Sequence, residues 1–238
     1  MILFLTSSPC VAGEAALNPA NGFVDTLREV LPEGPRCLFV CSDPDSPELT
    51  DRFAADMAGA FEKAGMAFSE LAVCDGRNGE DADWLVRESD LIILAGGHVP
   101  TQNAFFRSIG LRELLQGYEG VVMGISAGTM NSADEVYVQP ELEGESVDPY
   151  FDRFLPGLGL TEIMVVPHYQ ETKDTMIDGQ LLYEEVTIPD SRGRCFLALV
   201  DGSYVLCCGG ETELRGEAYL IEDGELRQIS EEGDCLPL

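Results

Sequence analysis

Across 238 residues, 14 Lys and Arg are set against 43 Asp and Glu, and the formal charge of −29 repels phosphate backbones and anionic lipid headgroups. Nucleic acid and membrane surfaces are therefore not expected partners. Hydrophobic content of 45% with 24% charged residues is ordinary for a globular chain, and no stretch is poor enough in apolar residues to predict a long disordered region. The length suits one core, and with no repeat, low-complexity tract or linker in it, residues 1–238 are expected to form a single domain, as a monomer or homodimer.

Eight cysteines include no CxxC pair, and only His98 and His168 could join them, so no zinc pattern can be assembled; no metal and no cofactor is expected. Several cysteines sit in apolar runs, where a reduced thiol behaves as a small hydrophobe. The first residues, Met1 to Thr6, carry no basic leader and too short an apolar run for a signal or a span, and the expected location is cytoplasmic.

Strand-length apolar runs occur at Ile2 to Leu5, Cys37 to Cys41, Ala67 to Val73, Leu91 to Ala95 and Val121 to Ile125, with helical spacing between them. That alternation predicts an α/β fold of three layers, α/β/α, on a mostly parallel sheet. Leu49, Phe53, Met57, Ala60, Phe61 and Ala64 recur every three or four residues and predict a helix over about 47–64. The run Leu91 to Ala95 is apolar throughout, as a strand covered on both faces should be. It leads into Gly96-Gly97-His98, where paired glycines permit close approach of a substrate and free backbone N–H groups.

The next run enters Gly124-Ile125-Ser126-Ala127-Gly128. A strand followed by Gly-x-Ser-x-Gly predicts a tight turn that exposes the Ser126 hydroxyl, with a helix opening at the following residue. The backbone N–H of Ala127, and that of Gly97, could then stabilise an oxyanion, with Gly96 and His98 lining the substrate site. An acidic, Pro-containing loop follows over about 134–149, then a run from Ile163 to Val166 leading to Pro167-His168. His168, the one histidine after the serine turn, is the expected base. The carboxylate orienting it is open among Asp134, Glu135, Glu141, Glu143, Glu145 and Asp148. Phe196 to Val200, Tyr204 to Cys207 and Ala218 to Ile221 read as a strand meander.

Taken together, Ile92 to Gly97, Gly124 to Gly128, Val166 to Tyr169 and the late Asp201-Gly202-Ser203 resemble the peptidase E family, the serine aspartyl dipeptidases related to cyanophycinase. The resemblance implies a fold like that of class I glutamine amidotransferases, with Ser126 in place of their cysteine, His168 as base and no cofactor. It puts the acidic partner about fifteen residues beyond the serine, at Glu141, with Glu143 and Glu145 also eligible because the 42-residue interval to His168 looks more like cyanophycinase. Family selectivity for aspartyl substrates relies on a cation after the histidine. Here residues 170–185 offer only Lys173 among five acidic residues, a poor setting for an Asp side chain. The expected activity is hydrolysis of small peptides, dipeptidase or exopeptidase in type, through a Ser-His-Glu triad and an acyl-enzyme. An esterase or amidase, and a silent binding module on the same fold, are the alternatives.

Overall fold

A computed structural model describes residues 1–238. The strands are β1 (Ile2–Thr6), β2 (Arg36–Val40), β3 (Glu70–Cys74), β4 (Leu91–Leu94), β5 (Val121–Ile125), β6 (Glu135–Tyr137), β7 (Phe154–Pro156), β8 (Met164–Val166), β9 (Met176–Ile177), β10 (Gln180–Leu181), β11 (Cys195–Leu199), β12 (Tyr204–Cys208), β13 (Glu211–Arg215), β14 (Ala218–Glu222), β15 (Glu225–Ser230) and β16 (Cys235–Pro237). The helices are α1 (Phe23–Val30), α2 (Pro47–Lys63), α3 (Ala82–Arg87), α4 (Val99–Ser108), α5 (Leu111–Leu114), α6 (Ala127–Asn131), α7 (Tyr169–Thr172) and α8 (Ile188–Asp190).

Eight strands form the main sheet in the order β16-β13-β12-β1-β5-β4-β2-β3. Its centre, from β1 to β3, is parallel, and an antiparallel edge begins where β12 joins β1. Each central strand alternates its side chains between two buried faces, which is why the runs read as unbroken apolar segments. On one face Phe4, Phe39, Ile93 and Met123 meet α1 and α2 through Phe23, Leu27, Ala54 and Phe61. On the other, Leu3, Leu38, Ile92 and Val122 meet α3, α4 and α5 through Val86, Phe106 and Leu111. The architecture is thus α/β with helices on both sides of a mostly parallel sheet. Full burial of each Phe or Leu contributes about 1.5–3 kcal/mol, so the two faces together fix the sheet between its helices.

The C-terminal runs depart from a meander. β11 and β14 pair antiparallel in a second, four-stranded sheet, order β15-β14-β11-β8, whereas β12 between them returns to the main sheet beside β1. Apolar continuity marks a buried strand without saying which sheet it joins. The second sheet packs Val165, Leu197, Leu199 and Ala218 onto the α3–α5 face. Its consequence is that β8 ends close to the carboxyl end of β1. No helix is long and apolar enough to cross a membrane.

Candidate active site

The turn after β5 is built around two close approaches. A Cβ on Gly124 would lie 2.7 Å from the Thr129 backbone, and one on Gly128 would lie 2.2 Å from the Leu94 carbonyl oxygen. Only glycine lets α6 fold back so tightly against β5 and β4. Between them Ser126 is forced to φ 49° and ψ −111°, a conformation that costs a non-glycine residue about 1–3 kcal/mol. The Ser126 N–H donates to the Thr6 carbonyl at 3.2 Å, and Ala127, first residue of α6, has no helical acceptor for its own N–H.

Register extends these contacts sideways. Thr6 pairs with Ile125 at the end of the β1–β5 ladder, so Ser7 and Ser126 are the residues that follow on the two neighbouring strands. Leu94 pairs with Gly124, so Gly96 flanks Ser126 on the other side, where an added Cβ would lie 3.4 Å from the serine Cβ. Gly97 has φ 155° and a Cβ there would strike Ser42 Oγ at 2.4 Å, so the segment must be glycine. The Gly97 N–H donates to no other backbone group.

His168 follows β8 in the left-handed region, φ 58° and ψ 33°. Its N–H donates to Ser7 Oγ at 2.7 Å, while its carbonyl accepts from Glu171 N, Thr172 N and Thr172 Oγ1. Ser7 Oγ in turn donates to Asp201 Oδ1 at 2.6 Å, and His168 Nδ1 lies 2.8 Å from the same oxygen. An ionised carboxylate only accepts, so the imidazole carries its proton on Nδ1 and leaves the Nε2 lone pair free. Ser7 therefore ties the His168–Asp201 pair to the strand position beside Ser126.

Asp201 reaches this place through a turn between the two sheets. Ser203 N donates to Val200 O at 3.0 Å, and Gly202 takes φ 87°, as the third position of a type II turn demands. Burial works to raise the Asp201 pKa, but hydrogen bonds from His168 and Ser7 hold it below the usual carboxylate range. For His168 burial favours the neutral ring, and the hydrogen bond and negative charge of Asp201, with Glu171 and Glu141 adding, outweigh it and raise the pKa.

The acidic residues of the 134–149 segment go elsewhere. Glu141 makes no side-chain hydrogen bond to His168, which corrects its expected position as the orienting acid. Its carboxyl keeps exposed surface yet is crowded by the cleft, and that desolvation, with Glu145 adding and His98 and His168 opposing, raises its pKa to about 7. Glu145 Oε2 instead accepts the N–H groups of Glu141 and Leu142, closing the loop on itself, and Oε1 lies 2.8 Å from His98 Nε2. With Nδ1 against Thr101 Oγ1, both His98 ring nitrogens are engaged, so this histidine anchors the acidic loop over α4. Asp134 pairs with Arg112 and Glu135 with Arg194, Asp148 accepts the Tyr150 N–H, and Glu143 is exposed. The carboxylate that does lie against the imidazole, Asp201, belongs to the Asp-Gly-Ser block; its position after a strand and before a glycine turn is the signal the sequence holds for it.

His168, Glu171 and Asp201 place potential ligand atoms within 4.8 Å of one another. Of these, the His168 Nδ1 and Asp201 Oδ1 atoms are already directed at each other as hydrogen-bond partners. A hollow of about 660 Å3 lies at the other end of the sheet around Ile2 and Val121, a full strand length of roughly 16 Å from the serine.

A family model described as Peptidase family S51 matches residues 3–215. A crystal structure at 1.5 Å of a protein from Listeria monocytogenes EGD-e, provisionally assigned as a peptidase E, shares the fold with a TM-score of 0.61 at 17% identity, over 96% of this chain and 98% of that one. No curated protein matches by sequence.

Proposed function

Given that the chain belongs to peptidase family S51 and is a serine-type peptidase, we propose that it hydrolyses small peptides through Ser126, His168 and Asp201. His168 Nε2 removes the Ser126 proton as Oγ attacks the scissile carbonyl, and Asp201 holds the ring in the required tautomer while stabilising the imidazolium. The N–H groups of Gly97 and Ala127 stabilise the tetrahedral oxyanion. His168 then returns its proton to the leaving amine, giving an acyl-enzyme that water attacks with the same base.

The observation that carries this reading is the Ser7 link, which binds both His168 and Asp201 at the strand position next to Ser126. Small peptides are favoured because the acidic loop is anchored on His98 by Glu145 and holds the Glu141 carboxyl within electrostatic reach of both histidines, where a folded substrate would meet it. Eight free cysteines fit a reducing, cytoplasmic setting. The test is labelling by a fluorophosphonate, followed by hydrolysis of a dipeptide library. Stoichiometric labelling of the wild type and none of Ser126→Ala is expected; an unlabelled wild type would remove the assignment.

A further inference from the structure

A second cavity lies beside the turn that carries Ser126, and what it would accept rests on the peptidase reading above. It measures about 500 Å3 and opens at the carboxyl ends of β1, β4 and β5, with Gly96 and Ile125 in its wall. Gly96 stands against Ser126 and Ile125 precedes it, so the cavity borders the turn that carries the serine, with Ser126 itself just outside the lining. Its body is apolar: Val11, Phe39, Phe53, Met57 and Ile125 line it. Phe53 is 46% exposed, a large aromatic surface left open on α2 beside the site.

Two features select among ligands. No Lys, Arg or His lines the cavity, while Glu14 and Asp56 do, so an acidic side chain would enter without a counter-ion and against like charge. The cavity also lies on the α1–α2 face of the sheet, with Phe39 and Ile125 belonging to that packing layer, whereas β8, which delivers His168, packs on the α3–α5 face. A general acid must reach the leaving nitrogen, which puts the leaving group toward His168. The acyl side of the scissile bond is left toward the cavity.

We propose that this cavity is the pocket for the side chain on the acyl side of the scissile bond, and that it takes a large apolar residue such as Leu or Phe in preference to Asp or Glu. Dipeptides Xaa-Leu, with Xaa as Leu, Phe, Asp or Glu, vary that residue against a constant leaving group. Leu and Phe should exceed Asp and Glu in kcat/KM by about tenfold or more, the range that burial of one apolar side chain supplies. Phe53→Arg, at an exposed helix position that tolerates a cation, should shift the Leu-to-Asp ratio toward Asp by a similar factor. Met57→Arg, one helical turn further, repeats the test from a second position. Fluorophosphonate labelling of Ser126 is scored on the same preparations. A labelled wild type that shows no preference for Leu or Phe over Asp, or that cleaves none of the four, would overturn the pocket and leave the peptidase assignment standing. So would an unchanged ratio in both Arg variants. Failure of the wild type to label would remove both.

Discussion

Ser126 and His168 both hold backbone conformations that non-glycine side chains seldom adopt, φ 49° and φ 58°. Each is kept there by contacts that would be lost in a relaxed chain: the glycine approaches around the serine, and the Ser7 and Thr172 hydrogen bonds around the histidine. Asp201 and Glu141 are separated by the same reasoning. Asp201 meets the imidazole directly, whereas Glu141 acts on it only through space. Asp201→Asn is therefore expected to lower kcat by about 10³–10⁴, as loss of the orienting carboxylate does in serine triads, while Glu141→Gln costs far less. Comparable losses in the two variants would restore Glu141 as the acid. Because the free base is the neutral ring and its pKa is raised above 6.5, activity should rise with pH through a midpoint above 6.5. In Asp201→Asn that midpoint moves down. The same pair supplies stability that is complete between the ordinary carboxylate range and pH 6.5; it is lost as pH rises through the native His168 pKa and, in acid, as pH falls through the lowered Asp201 pKa.

Elements position these residues through register. One parallel ladder ends at Thr6 with Ile125 and another at Leu94 with Gly124, so the segments that carry Ser7, Gly96 and Ser126 leave the sheet side by side and three loops converge without any of them being long. The pivot is α6, only five residues and wholly buried, whose Gly128 lies against the backbone of β4. Gly128→Ala should lower stability by about 1–3 kcal/mol, since the Leu94 backbone that the new methyl meets cannot yield, and should cut turnover by displacing Ser126. Thermal unfolding and peptide hydrolysis check the two effects. A variant of wild-type stability and activity would show that the turn relaxes freely. At this scale the sequence was informative where periodicity alone decides. The apolar stripe from Leu49 to Ala64 predicts a helix over 47–64, and α2 runs Pro47–Lys63. It was uninformative for β11 and β12, whose similar apolar runs are divided between two sheets by the turn that carries Asp201.

For the whole molecule, the dominant long-range term is its charge. At −29, ion pairs such as Arg36 with Glu70 and Glu88 offset only a fraction of the repulsion. Self-repulsion favours expansion of the chain, and salt screens it over about 8 Å at physiological ionic strength. The melting temperature should therefore rise between low salt and moderate NaCl. A fall over that range, measured by calorimetry, would mean that local pairs outweigh the net charge.

Local pattern was sufficient for the alternating strands and helices, for the glycine-framed turn at Ser126 and for the histidine at the end of its strand, because each depends on residues close in sequence. The partner of that histidine was decided only in three dimensions. From the acidic loop, Glu145 and Asp134 are drawn off by His98 and Arg112, and the place beside the imidazole goes to Asp201, 33 residues beyond it, because a turn between two sheets ends next to β1. A hydrogen bond recognises distance and direction, and many carboxylates in an acidic chain satisfy the composition while one satisfies the geometry.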